Sequence, residues 1–386
     1  MHRLIAIGLL AAACAAAPSA AQTQGSQTQG LRTREFPSSI GPLALTTVAQ
    51  GLVHPWSLAF LPDGRMLVTE RPGRMRIVDR NGALSRALAG VPRVHTGGQA
   101  GLLDVRLDGN YASNHVIYFC YTTNGSGAAA VARARLVEDP TPQLDEVKVI
   151  FTQRGPGGAA NLGCRIVQAH NGNLFVTLGD HFRPRDEAQN LANHIGKIVR
   201  IRPDGEVPSD NPFVDRAGAR PEIWAYGVRN PQGLAFDPTT GRLWENEHGP
   251  RGGDEVNIIE KGRNYGWPVI GYGIDYDGTR IHASTHKPGM EQPLWYWVPS
   301  IAPSGMAFCS GELFNRWNGS IFVGALKAQL LVRLERQGDR IVKEERLLAG
   351  LGERIRDVRM GPDGALWLLT DNAAGRILRL APLNRR

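Results

Sequence analysis

SLAFLPDGRMLVTE, residues 57–70, is a short β-prone strand, a turn made of Pro, Asp and Gly, and a second apolar strand. Proline presets the first dihedral of such a turn, and glycine takes the left-handed position without steric cost, so the stretch closes into a hairpin. The same unit recurs as LLDVRLDGNYASNHVIYFCYT (102–122), RIVQAHNGNLFVTLGD (165–180) and GLAFDPTTGRLWENEHG (233–249). It recurs twice more as MAFCSGELFNRWNGSIFVGAL (306–326) and RDVRMGPDGALWLLTD (356–371). A third strand follows each hairpin: RMRIVD, ARARLV, KIVRIRPDG, EVNIIEKG, QLLVRLERQ and RILRLAP.

Six such units, each roughly sixty residues, are too small to bury their own faces, but arranged radially they bury one another. The expected fold is therefore all-β: a six-bladed β-propeller of four-stranded antiparallel blades. It is favoured over a β-sandwich by the six matching hairpins. LALTTVAQ (43–50) is placed to complete the last blade and close the ring. One domain, residues 41–386, follows from this reading. Helical periodicity is scarce, with a turn or two near Ala188–His194 as its best case.

The chain starts MHRLIAIGLLAAACAAAPSAAQ, a charged start, a short apolar run and small residues, which reads as a secretory signal peptide over 1–21. A periplasmic or secreted protein is expected. Cys14 follows three alanines where a lipoprotein site usually has a leucine, which argues against anchoring there. Residues 22–40 are polar and repetitive for most of their length and read as a disordered linker. No later stretch is long and apolar enough for stable membrane insertion. The formal net charge is +8, yet acidic residues are mixed in throughout and no basic run appears, so nucleic acid is not an expected partner. Cys120, Cys164 and Cys309 remain after processing, and their odd number and wide spacing read as buried small side chains ahead of one disulfide plus a free thiol.

An antiparallel hairpin sets the residues before its first strand beside those after its second. Gln99, Asn161, Arg229, Asn230, Arg354 and Arg356 precede first strands; Asp180, His181, Glu247, His248, Gly249, Pro250, Lys327 and Asp371 follow second ones. All fall on one face of a propeller, around its channel. The opposite turns carry ordinary turn chemistry. Three arginines and a lysine at one mouth suit a compact ligand with several carboxylates or phosphates. A second cluster, GPRGGDEVNIIEKGRNYGWP (249–268), combines glycine turns, Asp254 and Glu255 with nearby carbonyls, a donor set for a hard cation such as calcium. EF-hand, HExxH, Walker and GxSxG patterns are absent.

HPWSLAFLPDGRMLVTERPGRMRIV, GGQAGLLDV, YGVRNPQGLAFDP, GDEVNIIEKGRNYGWP, SGMAF, FVGALK and RIRDVRMGPDG resemble the soluble quinoprotein sugar dehydrogenases. These form the glucose/sorbosone dehydrogenase family, and the likeness is greatest to its periplasmic aldose sugar dehydrogenases. The resemblance implies a six-bladed propeller that carries pyrroloquinoline quinone (PQQ) and calcium and oxidises the anomeric carbon of sugars to lactones. Electrons would pass to a quinone or a soluble acceptor. It implies that Gln99, Arg229, Asn230, Tyr276, Lys327, Arg354 and Arg356 contact the quinone. Gly249 and Pro250 would offer carbonyls to one calcium, and Glu255 and Tyr265 match ligands of a second. A calcium-dependent lactonase on the same fold would not need this arginine set.

In that family a histidine just before the strand that begins Arg165-Ile166-Val167 takes the sugar hydroxyl proton. The glycine-rich stretch GPGGAANLGCR (155–165) places Asn161 there, while Asp180 matches the aspartate that orients the histidine. An amide is not a base at neutral pH. His181 is the alternative source of an imidazole, against its reading as an exposed loop histidine. The runner-up function is a propeller that binds PQQ or a sugar without catalysis.

Overall fold

Local turn chemistry closes each hairpin, and long-range packing arranges the hairpins in a ring. The computed structural model describes residues 33–383, so the leader read at 1–21 lies outside the described residues. Six antiparallel sheets form the blades of a propeller. Their innermost strands, in chain order, are Pro55–Phe60, Leu102–Leu107, Gly163–Gln168, Pro231–Phe236, Pro303–Phe308 and Ile355–Met360. Each packs beside the next, and the last packs beside the first.

The ring is closed by Leu43–Leu52, which pairs with the C-terminal strand Gly375–Pro382 from Leu43↔Pro382 to Leu52↔Gly375. The expected closure strand is thus present. A fifth strand, Thr33–Phe36, pairs on its outside, with Phe36 buried in the core of that blade. Of the linker expected over 22–40, residues 22–32 lie outside the described residues, and from Thr33 the chain is an ordered strand, because Phe36 has an apolar site to fill. Blades 2 to 5 have four strands each, but blade 1 has three, Pro55–Phe60, Met66–Glu70 and Arg74–Val78. Its fourth edge is irregular: Ser85 and Leu88 donate to the carbonyls of Ile77 and Met75. The helix expected at 188–194 is instead a 3-10 turn at Arg185–Gln189. Asn190 and Asn193 end it, their side chains accepting from the backbone N–H of Ala192 and Ile195 and so competing with helical bonds. No described helix is long and apolar enough to cross a membrane.

Two features of the ring position the site. Every innermost strand has a register irregularity near its start, between Pro55/Ser57, Leu102/Val105, Gly163/Ile166, Pro231/Gly233, Pro303/Met306 and Ile355/Asp357. Bulges of this kind bend a strand and re-aim its side chains, and here six of them surround one mouth of the channel. Below them runs a buried ionic belt. Arg165 reaches Asp104 at 3.0 Å and Asp357 at 3.1 Å, while Arg359 reaches the same two carboxylates at 3.0 and 2.8 Å. These pairs tie blades 2, 3 and 6 together, and each buried charge has an opposite partner. Ion pairing between blades 2, 3 and 6 thus falls to Arg165 and Arg359, whereas Arg354 and Arg356 at the mouth pair with Asp371 of their own blade.

A disulfide joins Cys120 of blade 2 to Cys164 of blade 3, with Cα atoms 5.7 Å apart, and Cys309 is a buried free thiol. This corrects the reading of all three cysteines as unpaired small side chains. Adjacent blades bring together positions 44 residues apart in the chain, a proximity that cysteine spacing does not reveal.

Candidate functional site

The bulged mouth holds a cavity whose apolar wall is Trp56, Leu103, Leu162 and Leu326. Its polar wall carries Arg71, Gln99, Gln232, His248, Arg354, Arg356 and Asp371. Arg356 is buried, donates to Gln232 Oε1 at 3.0 Å and to Asp371 Oδ2 at 2.8 Å, and its guanidinium lies 5.8 Å from the Trp56 ring centre. Arg354 reaches the same Asp371 oxygen at 3.3 Å, and His54 Nδ1 lies 3.1 Å from the other one. Burial raises the Asp371 carboxyl, but Arg356, His54 and Arg354 outweigh it and hold the group below its ordinary range.

The neighbouring hairpin end supplies the second cation. Backbone N–H groups of Arg229 and Asn230 both donate to Glu247 Oε2, which fixes the turn before blade 4. From there Arg229 Nη1 donates to the carbonyls of His248 at 3.0 Å and Gly249 at 2.8 Å, over the Trp267 ring. The Nε atoms of Arg229 and Arg356 are both buried with no hydrogen-bond partner among the described residues. An orphaned guanidinium N–H is costly, so each points to a missing acceptor. A planar ligand with several carboxylates fits that demand, and PQQ is such a molecule.

Beside this cavity lies a smaller one, lined by Glu247, His248, Gly249, Pro250, Glu255 and Tyr265 among others. Glu245, Glu247 and Glu255 crowd two paired strands, with Glu247 directly opposite Glu255. Burial and the charge of Glu247 push Glu245 and Glu255 well above the usual carboxylate range, and burial, with Asp180 adding to it and the N–H groups of Arg229 and Asn230 opposing, pushes Glu247 to about 7. A hard cation would relieve this repulsion, but among the described residues no three acidic or histidine side chains converge to hold one by themselves, so carbonyl oxygens would have to complete its shell. The Tyr265 hydroxyl donates to Ile258 O at 2.6 Å and accepts from Glu260 N at 2.8 Å, so its main-chain carbonyl is the group it has to offer.

The corner formed by Asn161 and Asp180 is held by a full set of hydrogen bonds. Asn161, at φ 48°, is buried and donates its amide to Asp180 Oδ1 at 2.9 Å. Trp267 Nε1 donates to Asp180 Oδ2 at 2.8 Å and Phe182 N to Oδ1 at 2.7 Å. Burial raises the Asp180 carboxyl above its ordinary value, with Arg229 and these donors opposing. The two strand ends approach so closely that a Cβ at Gly179 would lie 1.8 Å from Asn161 O. Gln99 Oε1 accepts from Asn161 N at 2.9 Å, joining blade 2 to the same corner.

His181 is buried, not an exposed loop histidine. Its Nε2 lies 2.8 Å from Gln153 Oε1, and burial pushes its pKa down to about 4. It does not line the cavity. His248 does, but burial together with Arg229 and Arg356 pushes it to about 3, and its Nε2 is held by Pro303 O at 2.7 Å.

Of the residues expected at the site, Gln99, Arg354 and Arg356 line the main cavity, while Arg229, Gly249, Pro250, Glu255 and Tyr265 line its neighbour. Asn230 is buried against His248, and Lys327 is exposed just beyond Leu326. Tyr276 stands apart: it is 55 % exposed, with its ring 5.9 Å from that of Phe182. Arg71 and Trp56 were not expected. Arg71 follows the second strand of the first hairpin, the position occupied by Lys327 and Asp371 in theirs, so the same flank rule reaches it.

Known proteins resemble this chain over most of its length. Residues 52–379 match the family model described as glucose/sorbosone dehydrogenase. Aldose sugar dehydrogenase YliI of Escherichia coli is 44 % identical over 340 residues, covering 86 % of this chain and 91 % of that protein. The crystal structure of the soluble aldose sugar dehydrogenase (Asd) from Escherichia coli, in its apo form, matches with a TM-score of 0.86 at 42 % identity, over 88 % of this chain and 100 % of that one. The PQQ-bound form of an aldose sugar dehydrogenase from Streptomyces coelicolor matches with a TM-score of 0.74 at 29 % identity, over 88 % and 98 % of the two chains.

Proposed function

The chain belongs to the glucose/sorbosone dehydrogenase family, and from that premise we propose that it is a PQQ-dependent oxidoreductase that converts aldose sugars to lactones at the anomeric carbon. The observation that carries the proposal is the pair of orphaned guanidinium N–H groups, Arg229 Nε and Arg356 Nε, buried at the channel mouth. Gln99, Arg229, Asn230, Lys327, Arg354 and Arg356 hold the cofactor. Tyr276, expected as a further contact, stands on the rim outside the cavity. When bound, PQQ supplies an electrophilic quinone that accepts hydride.

Calcium is the proposed cation beside it: the carbonyls of Pro250 and of Gly249, through the lone pair that Arg229 does not use, would be its ligands, and Glu255 and Tyr265 would hold a second calcium. Trp56 and the leucines exclude water from one wall of the cavity, which strengthens every charge interaction inside it. The protein is proposed to act after export, with a quinone or soluble carrier as electron acceptor.

The proton of the sugar hydroxyl has no efficient acceptor. Asn161 offers an amide, Asp180 has its oxygens committed to three donors, and His181 is a weak base bonded to Gln153. Losing general-base help lowers a rate by about a hundred- to ten-thousand-fold. The same observation favours a second reading, a propeller that binds PQQ and sugar with little or no turnover.

Reconstitution separates them. Purified protein given PQQ and calcium is expected to reduce a dye in the presence of aldoses. Tight PQQ binding without any turnover leaves the binding reading alone, and failure to bind PQQ sinks both.

A further inference from the structure

The 3-10 turn Arg185–Gln189 follows Asp180 in the chain and lines neither of the two cavities, yet it is firmly held. Lys197 is fully buried and donates from Nζ to the carbonyls of Glu187 at 3.1 Å, Ala188 at 3.0 Å and Ile195 at 2.5 Å. Burying an ammonium is tolerated only where acceptors surround it, so this tie makes the turn a rigid support. Gln189 ends the support and reaches across to a loop of blade 4. Its Nε2 donates to Trp267 O at 2.7 Å and to Asn264 Oδ1 at 3.0 Å, and its Oε1 accepts from Asn264 Nδ2 at 2.8 Å. The two amides grip each other and the main chain of Trp267. They meet over Gly227, at φ 76°, where a Cβ would collide with both, so only glycine leaves room for the grip.

Trp267 is what the grip controls. It is buried, and its Nε1 donates to Asp180 Oδ2 at 2.8 Å. The Arg229 guanidinium lies 5.2 Å from the centre of its ring. One indole therefore touches both the acid of the Asn161–Asp180 corner and an arginine proposed to hold the cofactor. The main chain that carries it is tied on both sides, its N–H donating to Gly227 O at 2.8 Å and its carbonyl accepting from Gln189. Loss of the second tie frees the indole to shift, and a displacement of about 1 Å at a reacting site can cost on the order of a hundredfold in rate.

We propose that Gln189 is a positioning residue: by fixing the main chain of Trp267 it sets the indole that orients Asp180 and supports Arg229. The inference rests on the sugar-dehydrogenase reading for what that corner does in turnover, but not for the placement of the indole. A staple that merely joined blades 3 and 4 would lower stability when cut and leave the bond between Trp267 and Asp180 as it is.

The test follows the indole N–H resonance of Trp267 by NMR, assigned through its loss in Trp267→Phe, and measures kcat and KM with glucose in the PQQ- and calcium-loaded protein. In Gln189→Met, which keeps the length of the side chain and removes its hydrogen bonds, that N–H is expected to exchange with water about tenfold faster, the factor for one net hydrogen bond. With PQQ and calcium bound, kcat is expected to fall about tenfold at nearly constant KM. In the Trp267→Phe background the same substitution should change kcat by less than about twofold, because the bond it acts through is already gone. Gln189→Glu keeps the bond from Asn264 and gives up the donated ones, and it serves in place of Gln189→Met if that variant folds poorly, with the unfolding midpoint as the check. Unchanged exchange of the indole N–H overturns the proposal. Equal losses of kcat in the two backgrounds also overturn it and leave Gln189 a staple between blades. If the loaded protein shows no turnover, the dehydrogenase reading fails by itself, and the indole exchange still decides this inference.

Discussion

The amide of Asn161 donates to the carboxylate of Asp180 at 2.9 Å, inside a corner that also fixes Trp267 and Phe182 to the same carboxylate. The acid that would orient a base is present and fully engaged, and its partner is a group that takes no proton at neutral pH.

Asn161→His is therefore expected to raise kcat with an aldose by about a hundred- to ten-thousand-fold, with PQQ affinity little changed. The variant should also acquire an ascending pH limb as its imidazole loses a proton. Steady-state dye reduction across pH checks both; an unchanged rate would mean that another group already takes the proton.

His181 predicts an acid-side loss of stability. Its imidazole, ordinarily near 6.5, is pushed to about 4 by burial, so the unfolded chain takes up the proton first as pH falls. Its contribution is complete above about 6.5 and is lost as pH falls through the window down to about 4, amounting to roughly 3 kcal/mol. His181→Gln should flatten the slope of stability against pH in that window relative to the parent, as measured by denaturant unfolding. A slope identical to the parent's would show that the imidazole titrates normally.

Arg356→Gln removes a buried cation that holds both Gln232 and Asp371. PQQ affinity is expected to fall by about ten- to a hundredfold, the range for one charged hydrogen bond. Fluorescence quenching on titration with PQQ reads this directly, and retention of parental affinity would place the cofactor elsewhere.

The Cys120–Cys164 bond closes a loop across 44 residues and ends three residues from Asn161. Cys164 has φ 75°, which glycine tolerates freely, so the double variant Cys120→Ala/Cys164→Gly isolates the crosslink from the backbone requirement. It should cost on the order of 2–4 kcal/mol of stability and speed proteolysis within 155–164. Equal unfolding midpoints with and without reductant in the parent would count against a stabilising role.

Much of this molecule is legible without coordinates. Short apolar strands and Pro, Asp and Gly turns act within a few residues, so the six hairpins, their third strands and the closing strand at 43–50 follow from sequence alone. So does the gathering of polar flanks at one face, because a hairpin always returns its second strand to the start of its first. That Asn161 stands where the family resemblance implies a histidine also rests on sequence, through its spacing to Arg165.

What the ring brings together was decided only in three dimensions. Cys120 meets Cys164, and Arg165 meets Asp104 and Asp357, because blades packed side by side set the distances, not chain separation. Burial of His181 and the orphaned N–H groups of Arg229 and Arg356 depend on neighbours from several blades at once. The pairing of Phe182 with Tyr276 across two loops is of the same kind. Propensity and turn chemistry are local and could be read along the chain; dielectric environment, charge pairing and contact across blades are properties of the closed ring.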